Sequence, residues 1–266
     1  MSPLDSVIFR KVAAFANAIT WLGRAATLSS TADRRHAGVL SDADPENAPR
    51  MFGYKMSWLA VRTSDTARLL NALGLQNIAT AGWSRGVSEI YSEQNGDSAV
   101  YVSPPLGEWT LVAGVSLPHP LGPSFVDKCS PLLRRLSSSF GEAQYFFTFP
   151  LLDFYAWAKA SDGEMLRAFA TGDEGIIWNR GALTPEEKRL NLRLFELRGV
   201  DAGQTDPGGA TTSLPTEAEV LRLAGWWSVD PSQLEQRAGG QASRELGYLC
   251  TAPMAWRSER RHRSAA

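Results

Sequence analysis

Two cysteines occur in the 266-residue chain, Cys129 and Cys250, far apart and in no Cys-x-x-Cys arrangement. The plain reading is two reduced, buried thiols, with one long-range disulfide left open. The three histidines, His36, His119 and His262, are scattered. Neither residue type offers the spacing of a zinc site, so no metal and no cofactor are expected. Charge of one sign is also lacking. The formal net charge is −1, which supplies no basic field for nucleic acid and no acidic excess for disorder.

Long apolar runs are absent too. The best candidate, residues 7–28, is interrupted by Arg10, Lys11 and Arg24. Only about twelve uncharged residues separate Lys11 from Arg24, too few to span a bilayer. Stable membrane insertion is therefore not expected. The acidic start at Asp5, with no small-x-small cleavage site, argues against a signal peptide, and a cytoplasmic location is expected.

Phosphate-binding loops of the GxGxxG and GxxxxGK[ST] types are missing, and so is the GxSxG nucleophile elbow. Ser84, in Trp83-Ser84-Arg85-Gly86, has no marked base. Cys129 lies ten residues from His119 across a proline-rich connector, a poor arrangement for a nucleophile and its base. The carboxylates Asp153, Glu164, Asp173 and Glu174 flank strands and read as solvated turn charges. An enzyme with a carboxylate site around Asp153 and Glu164 stays open as the alternative. The Arg260-Arg261-His262-Arg263 run is basic but short, and no nucleic-acid partner is expected.

What the chain does hold is aromatic. Nine tryptophans are present, and residues 143–181 concentrate Tyr145, Phe146, Phe147, Phe149, Phe154, Tyr155, Trp157, Phe169 and Trp178. Such residues favour pleated, half-buried surfaces. Asp162-Gly163 between two apolar runs marks a hairpin, because both turn residues tolerate positive φ. An antiparallel meander is expected here, as the centre of the fold.

Around it the reading proceeds in order. Ile8, Val12, Phe15, Ile19, Leu22 and Ala26 make one face of an amphipathic helix. Residues 29–50 form a polar linker. Lys55–Arg62 is a strand with Met56, Trp58 and Ala60 on one side and Leu59 and Val61 on the other. Asp65 or Ser64 caps a short helix that ends at Gly74. Ile78–Trp83, Val87–Ser92, Ala99–Ser103 and Glu108–Ser116 are further strands. A helix with Leu132, Leu133 and Leu136 inward stops at Gly141. Thr184, Pro185 and Glu187 open another helix with a capping box. Pro215–Ala224 is helical, and Asp230-Pro231-Ser232 starts a short last helix. The strand and helix at Met56–Leu73 echo those at Trp109–Leu136, which leaves an internal duplication open.

The expected fold is α+β: a central antiparallel sheet, helices on one face, and helical N- and C-terminal extensions. Three regions follow. Residues 1–50 hold the N-terminal helix and linker, 51–198 the core domain, and 199–266 a helical extension with a basic tail.

Several of these stretches carry a resemblance. They are Phe52–Arg62 (FGYKMSWLAVR), Pro104-Pro105 with Trp109–Val112, Phe140–Phe146 (FGEAQYF), Leu183–Glu187 and Trp227–Pro231. Together they resemble a family of bacterial proteins of unknown activity, found in high-GC genomes and in some cases near toxin loci. The resemblance implies an immunity-type protein that neutralises a secreted toxin of interbacterial competition, a nuclease among the candidates. It carries no catalytic residues. A protein of that kind needs exposed aromatic contacts, and the candidates are Trp83, Arg85, Trp109, Tyr155, Trp157, Trp226 and Trp227. Tyr155 and Trp157 would supply the free face of the meander. A membrane-surface or scaffold role for the Ile8–Ala26 helix is the remaining alternative.

Overall fold

The aromatic meander forms four consecutive strands, β5 (Glu142–Phe149), β6 (Phe154–Ser161), β7 (Glu164–Gly172) and β8 (Gly175–Arg180). Asp162 and Gly163 make the β6–β7 turn at φ of 49° and 85°, with Ser161 opposite Glu164. That is the two-residue hairpin geometry that the Asp-Gly pair favours. In this computed structural model the described residues are 47–121, 125–172, 175–192, 215–237 and 245–259. The expected N-terminal helix, the linker as far as residue 46, Asp173, Glu174 and the basic run from residue 260 lie outside them.

The other strands are β1 (Ser57–Val61), β2 (Gln76–Ala81), β3 (Ala99–Val102), β4 (Thr110–Ala113) and β9 (Gly247–Thr251). All nine join one sheet in the order β2-β9-β3-β4-β1-β5-β6-β7-β8. Every neighbouring pair is antiparallel.

Six helices accompany the sheet among the described residues: α1 (Thr66–Leu73), α2 (Trp83–Ile90), α3 (Cys129–Phe140), α4 (Pro185–Leu190), α5 (Glu217–Trp227) and α6 (Leu234–Arg237). They do not share one face, as expected, but cover both. Leu69, Leu70 and Leu73 of α1 and Leu132, Leu133 and Leu136 of α3 pack with Leu59, Val61, Tyr145 and Phe147. On the opposite face, Trp83 and Ile90 of α2 and Val220, Leu223 and Ala224 of α5 pack with Trp58, Phe146, Trp157 and Phe169. The cause is in the central strands. All five residues of β1 and seven of the eight in β5 are buried. A strand apolar on both sides needs a cover on both sides.

Two more expectations change. Val87–Ser92 is not a strand: it falls within α2 and the turn that follows. Trp83, Gly86 and Ile90 share the buried side of that helix. A Cβ at Gly86 would lie 2.1 Å from the Tyr101 ring, so glycine lets α2 approach β3. The C-terminal region is not a purely helical extension. Its strand β9 is inserted between β2 and β3, hydrogen-bonded to both. The two helices of the suggested repeat, α1 and α3, do share a face, but α2 interrupts the first unit where a strand was expected.

Capping follows the sequence closely. The Asp65 side chain accepts from the Arg68 amide, and Gly74 takes a left-handed conformation at φ 67°. Reciprocal capping boxes close the starts of α4 (Thr184 with Glu187) and α5 (Thr216 with Glu219).

Candidate functional site

The seven residues that the sequence offers for a partner separate sharply. Trp83 is 1% exposed and packs edge-on against Tyr101, with ring centroids 5.5 Å apart. Tyr155 and Trp157 lie under the second helical layer, so their face of the meander is covered rather than free. The Trp157 indole N–H donates to Glu187 Oε1 at 2.7 Å. Trp227 is buried beside Phe146, with the Lys159 ammonium 5.5 Å from its ring centroid. These four are core residues. Tyr155 and Trp157 lie on β6 beneath the helices that the second apolar face of the sheet requires, and Trp83 and Trp227 are on the inner sides of those helices, α2 and α5.

Arg85 and Trp226 are exposed, and Trp109 is half-buried. Two of the three, Trp109 and Trp226, belong to the same end of the sheet. Val61 is opposite both Thr110 and Ala143, so Trp109, Arg62 and Glu142 belong to one end of the sheet. The end of α5 is fastened to that same end. Gln144 Nε2 donates to the Trp227 carbonyl at 3.2 Å, and Ser228 Oγ donates to Gln144 Oε1 at 2.7 Å. Trp226, on the last turn of α5, is 39% exposed. Two ion pairs frame this end, Arg62–Glu108 and Lys159–Glu142, the latter at 2.9 Å. The result is an aromatic side chain presented to solvent on a braced base. Arg85 stands apart, on α2 over the β3–β9 half of the sheet.

The carboxylates of the enzymatic alternative do not come together. Asp153 and Glu164 stand at opposite ends of β6. At about 3.3 Å per residue, eight residues hold them roughly 25 Å apart. Both are exposed, and Glu164 lies 3.9 Å from Arg134 across the surface.

A second place emerges that sequence reasoning passed over. A cavity of about 530 Å³ opens where β2 and β9 meet the 115–121 loop. Its inner surface includes Val115, Leu117, His119 and Trp256. The His119 ring stacks on Phe147 at 4.9 Å, and its Nδ1 is 3.2 Å from the Tyr145 hydroxyl. Burial lowers the His119 pKa to about 4, against an opposing hydrogen bond with the Val115 backbone. The imidazole is therefore neutral at pH 7. Burial first, and then the Asp127 charge, push the Cys129 thiol well above its usual value. That thiol is no activated nucleophile. The signal that would have found this place is the proline-rich segment Leu117–Leu121, which shapes its wall together with Pro253–Trp256.

Both cysteines are free and buried. Among the described residues, no cluster of three or more His, Cys, Asp or Glu gathers in metal-binding geometry, and no helix is long and apolar enough to cross a membrane. No protein-family model, curated protein or solved structure matches the chain.

Proposed function

We propose that this protein is a non-enzymatic binding protein of the immunity type, which neutralises a secreted bacterial toxin in the cytoplasm. The observation that carries the reading is Trp226: a large aromatic residue, exposed on a helix end locked to the sheet through Gln144 and Ser228. Tryptophan is favoured at binding hot spots, where a rigid anchor loses little entropy on association. Half-buried Trp109 and the Lys159–Glu142 and Arg62–Glu108 pairs supply a polar rim at the same end. Such a surface suits occlusion of a partner and asks for no chemistry of its own. The sequence stretches that resemble the immunity-type family point the same way.

The test is binding to the product of the gene beside its own, by calorimetry with purified proteins. A one-to-one complex is expected. Trp226→Ala should weaken it by about 2 kcal/mol or more, the usual mark of a hot spot. A neighbouring product that does not bind, or a complex indifferent to both Trp226→Ala and Trp109→Ala, would sink the proposal.

A further inference from the structure

We infer that the 530 Å³ cavity beside His119 is a binding site for a small aromatic molecule that carries a hydrogen-bond acceptor. Its volume lies in the range of small-molecule sites, about 300–1,000 Å³. It is a half-open pocket. The floor is apolar and buried, formed by Val115, Leu117 and Trp256. His119, neutral at pH 7, adds a flat ring to it. The rim is polar and exposed, and includes Gln76, Ser98 and Arg257.

Trp256 determines the ligand class. It is 8% exposed. Its indole N–H forms no hydrogen bond with the described residues, yet it is not sealed in the core as are those of Trp58, Trp83 and Trp227. Because Trp256 lines the cavity, this donor is assigned to water or to a ligand acceptor there. The rings of His119, Trp256 and Pro253 among the lining residues favour an aromatic body. Arg257 at the mouth suits an anionic acceptor group.

This site is independent of the proposed partner surface. Val115 and Ser116 follow β4, whereas Trp109 precedes it, so the two places lie at opposite ends of that strand.

The probe is 1-anilinonaphthalene-8-sulfonate, which combines an aromatic body with anionic acceptor oxygens. Titration into the full-length protein should show saturable, one-to-one binding. One indole N–H resonance in the nitrogen-15 spectrum should move, and it should be the peak that is missing in Trp256→Phe. That variant keeps an aromatic ring but loses the donor, and should bind about fivefold more weakly, the worth of one ordinary hydrogen bond. Ala252→Trp, which fills the cavity, should abolish binding. Ser98→Trp at the exposed rim does the same job should the first variant fail to fold. Trp226→Ala should leave the probe's affinity unchanged, which separates this site from the partner surface. Failure to saturate, movement of a different indole, or unchanged affinity in Trp256→Phe and a folded blocking variant would overturn the inference.

Discussion

Replacing Glu187 with alanine should cost about 4 kcal/mol of stability. Glu187 and Arg167 form an ion pair whose side chains are both 0% exposed. Arg167 Nε donates to the two carboxylate oxygens at 2.7 and 2.9 Å. The same carboxylate accepts from the Trp157 indole at 2.7 Å and from the Thr184 amide at 2.8 Å. One side chain therefore ties together β6, β7 and the start of α4. Its removal takes away the carboxylate that neutralises the buried Arg167 guanidinium, whose other hydrogen bonds include the carbonyls of Ala168 and Arg180 and Asn179 Oδ1. Breaking a buried pair in this way costs about 3–5 kcal/mol. The assay is urea unfolding followed by tryptophan fluorescence. At a slope of roughly 2 kcal/mol per molar, the midpoint should fall by about 2 M. The double variant Arg167→Met with Glu187→Leu should recover most of the loss, because an apolar pair has no charge to desolvate. A midpoint shift below about 0.5 M, or a double variant no more stable than the single one, would refute the reasoning.

Other outcomes are expected on the same grounds. Gly86→Ala should lower stability by about 1–3 kcal/mol, since the new methyl would overlap the Tyr101 ring, and a thermal melt reads the loss. His119 has a folded pKa of about 4, below its ordinary value near 6.5. The unfolded chain then binds the extra proton first, so stability is full above about pH 6.5 and falls as the pH drops towards 4. The loss should be about 2 kcal/mol after allowance for the ring's partial exposure to the cavity, and His119→Phe should flatten the stability profile in that window. Cys129 and Cys250 are buried with raised thiol pKa values, that of Cys250 to about 12. Ellman's reagent should label neither in the native protein and both after denaturation.

Much of the fold is legible in the sequence where the determinants are local. Asp162-Gly163 sets the β6–β7 turn, Thr184 and Glu187 build the α4 cap, and Asp65 and Gly74 bound α1. Strand β9 is not legible. GYLCT is five residues long and weakly patterned, and its partners, β2 and β3, come from far earlier in the chain. Its identity as a strand comes from those partners rather than from its own residues. Helix α2 is misread for a related reason. WSRGVSEI contains a glycine and two β-branched residues, Val87 and Ile90, none of them a strong helix former, and packing of Trp83 and Ile90 against the sheet overrides that preference.

The candidate surface is only half legible. Residue type marks tryptophans as anchors but cannot tell a core tryptophan from an exposed one. Trp157 and Trp226 differ because β6 is roofed by a helical layer, while Trp226 rides on the outer side of a helix. The one-faced reading of the sheet left Tyr155 and Trp157 free. The second layer takes that freedom away.

The central claim concerns Trp226, and a growth assay tests it most directly. The product of the neighbouring gene is expressed alone, with this protein, and with its Trp226→Ala variant. The neighbour should arrest growth, the wild-type protein should restore it, and the variant should fail to do so at equal abundance and an unchanged melting temperature. A neighbour that is harmless alone, or a variant that protects as fully as the wild type, would contradict the account.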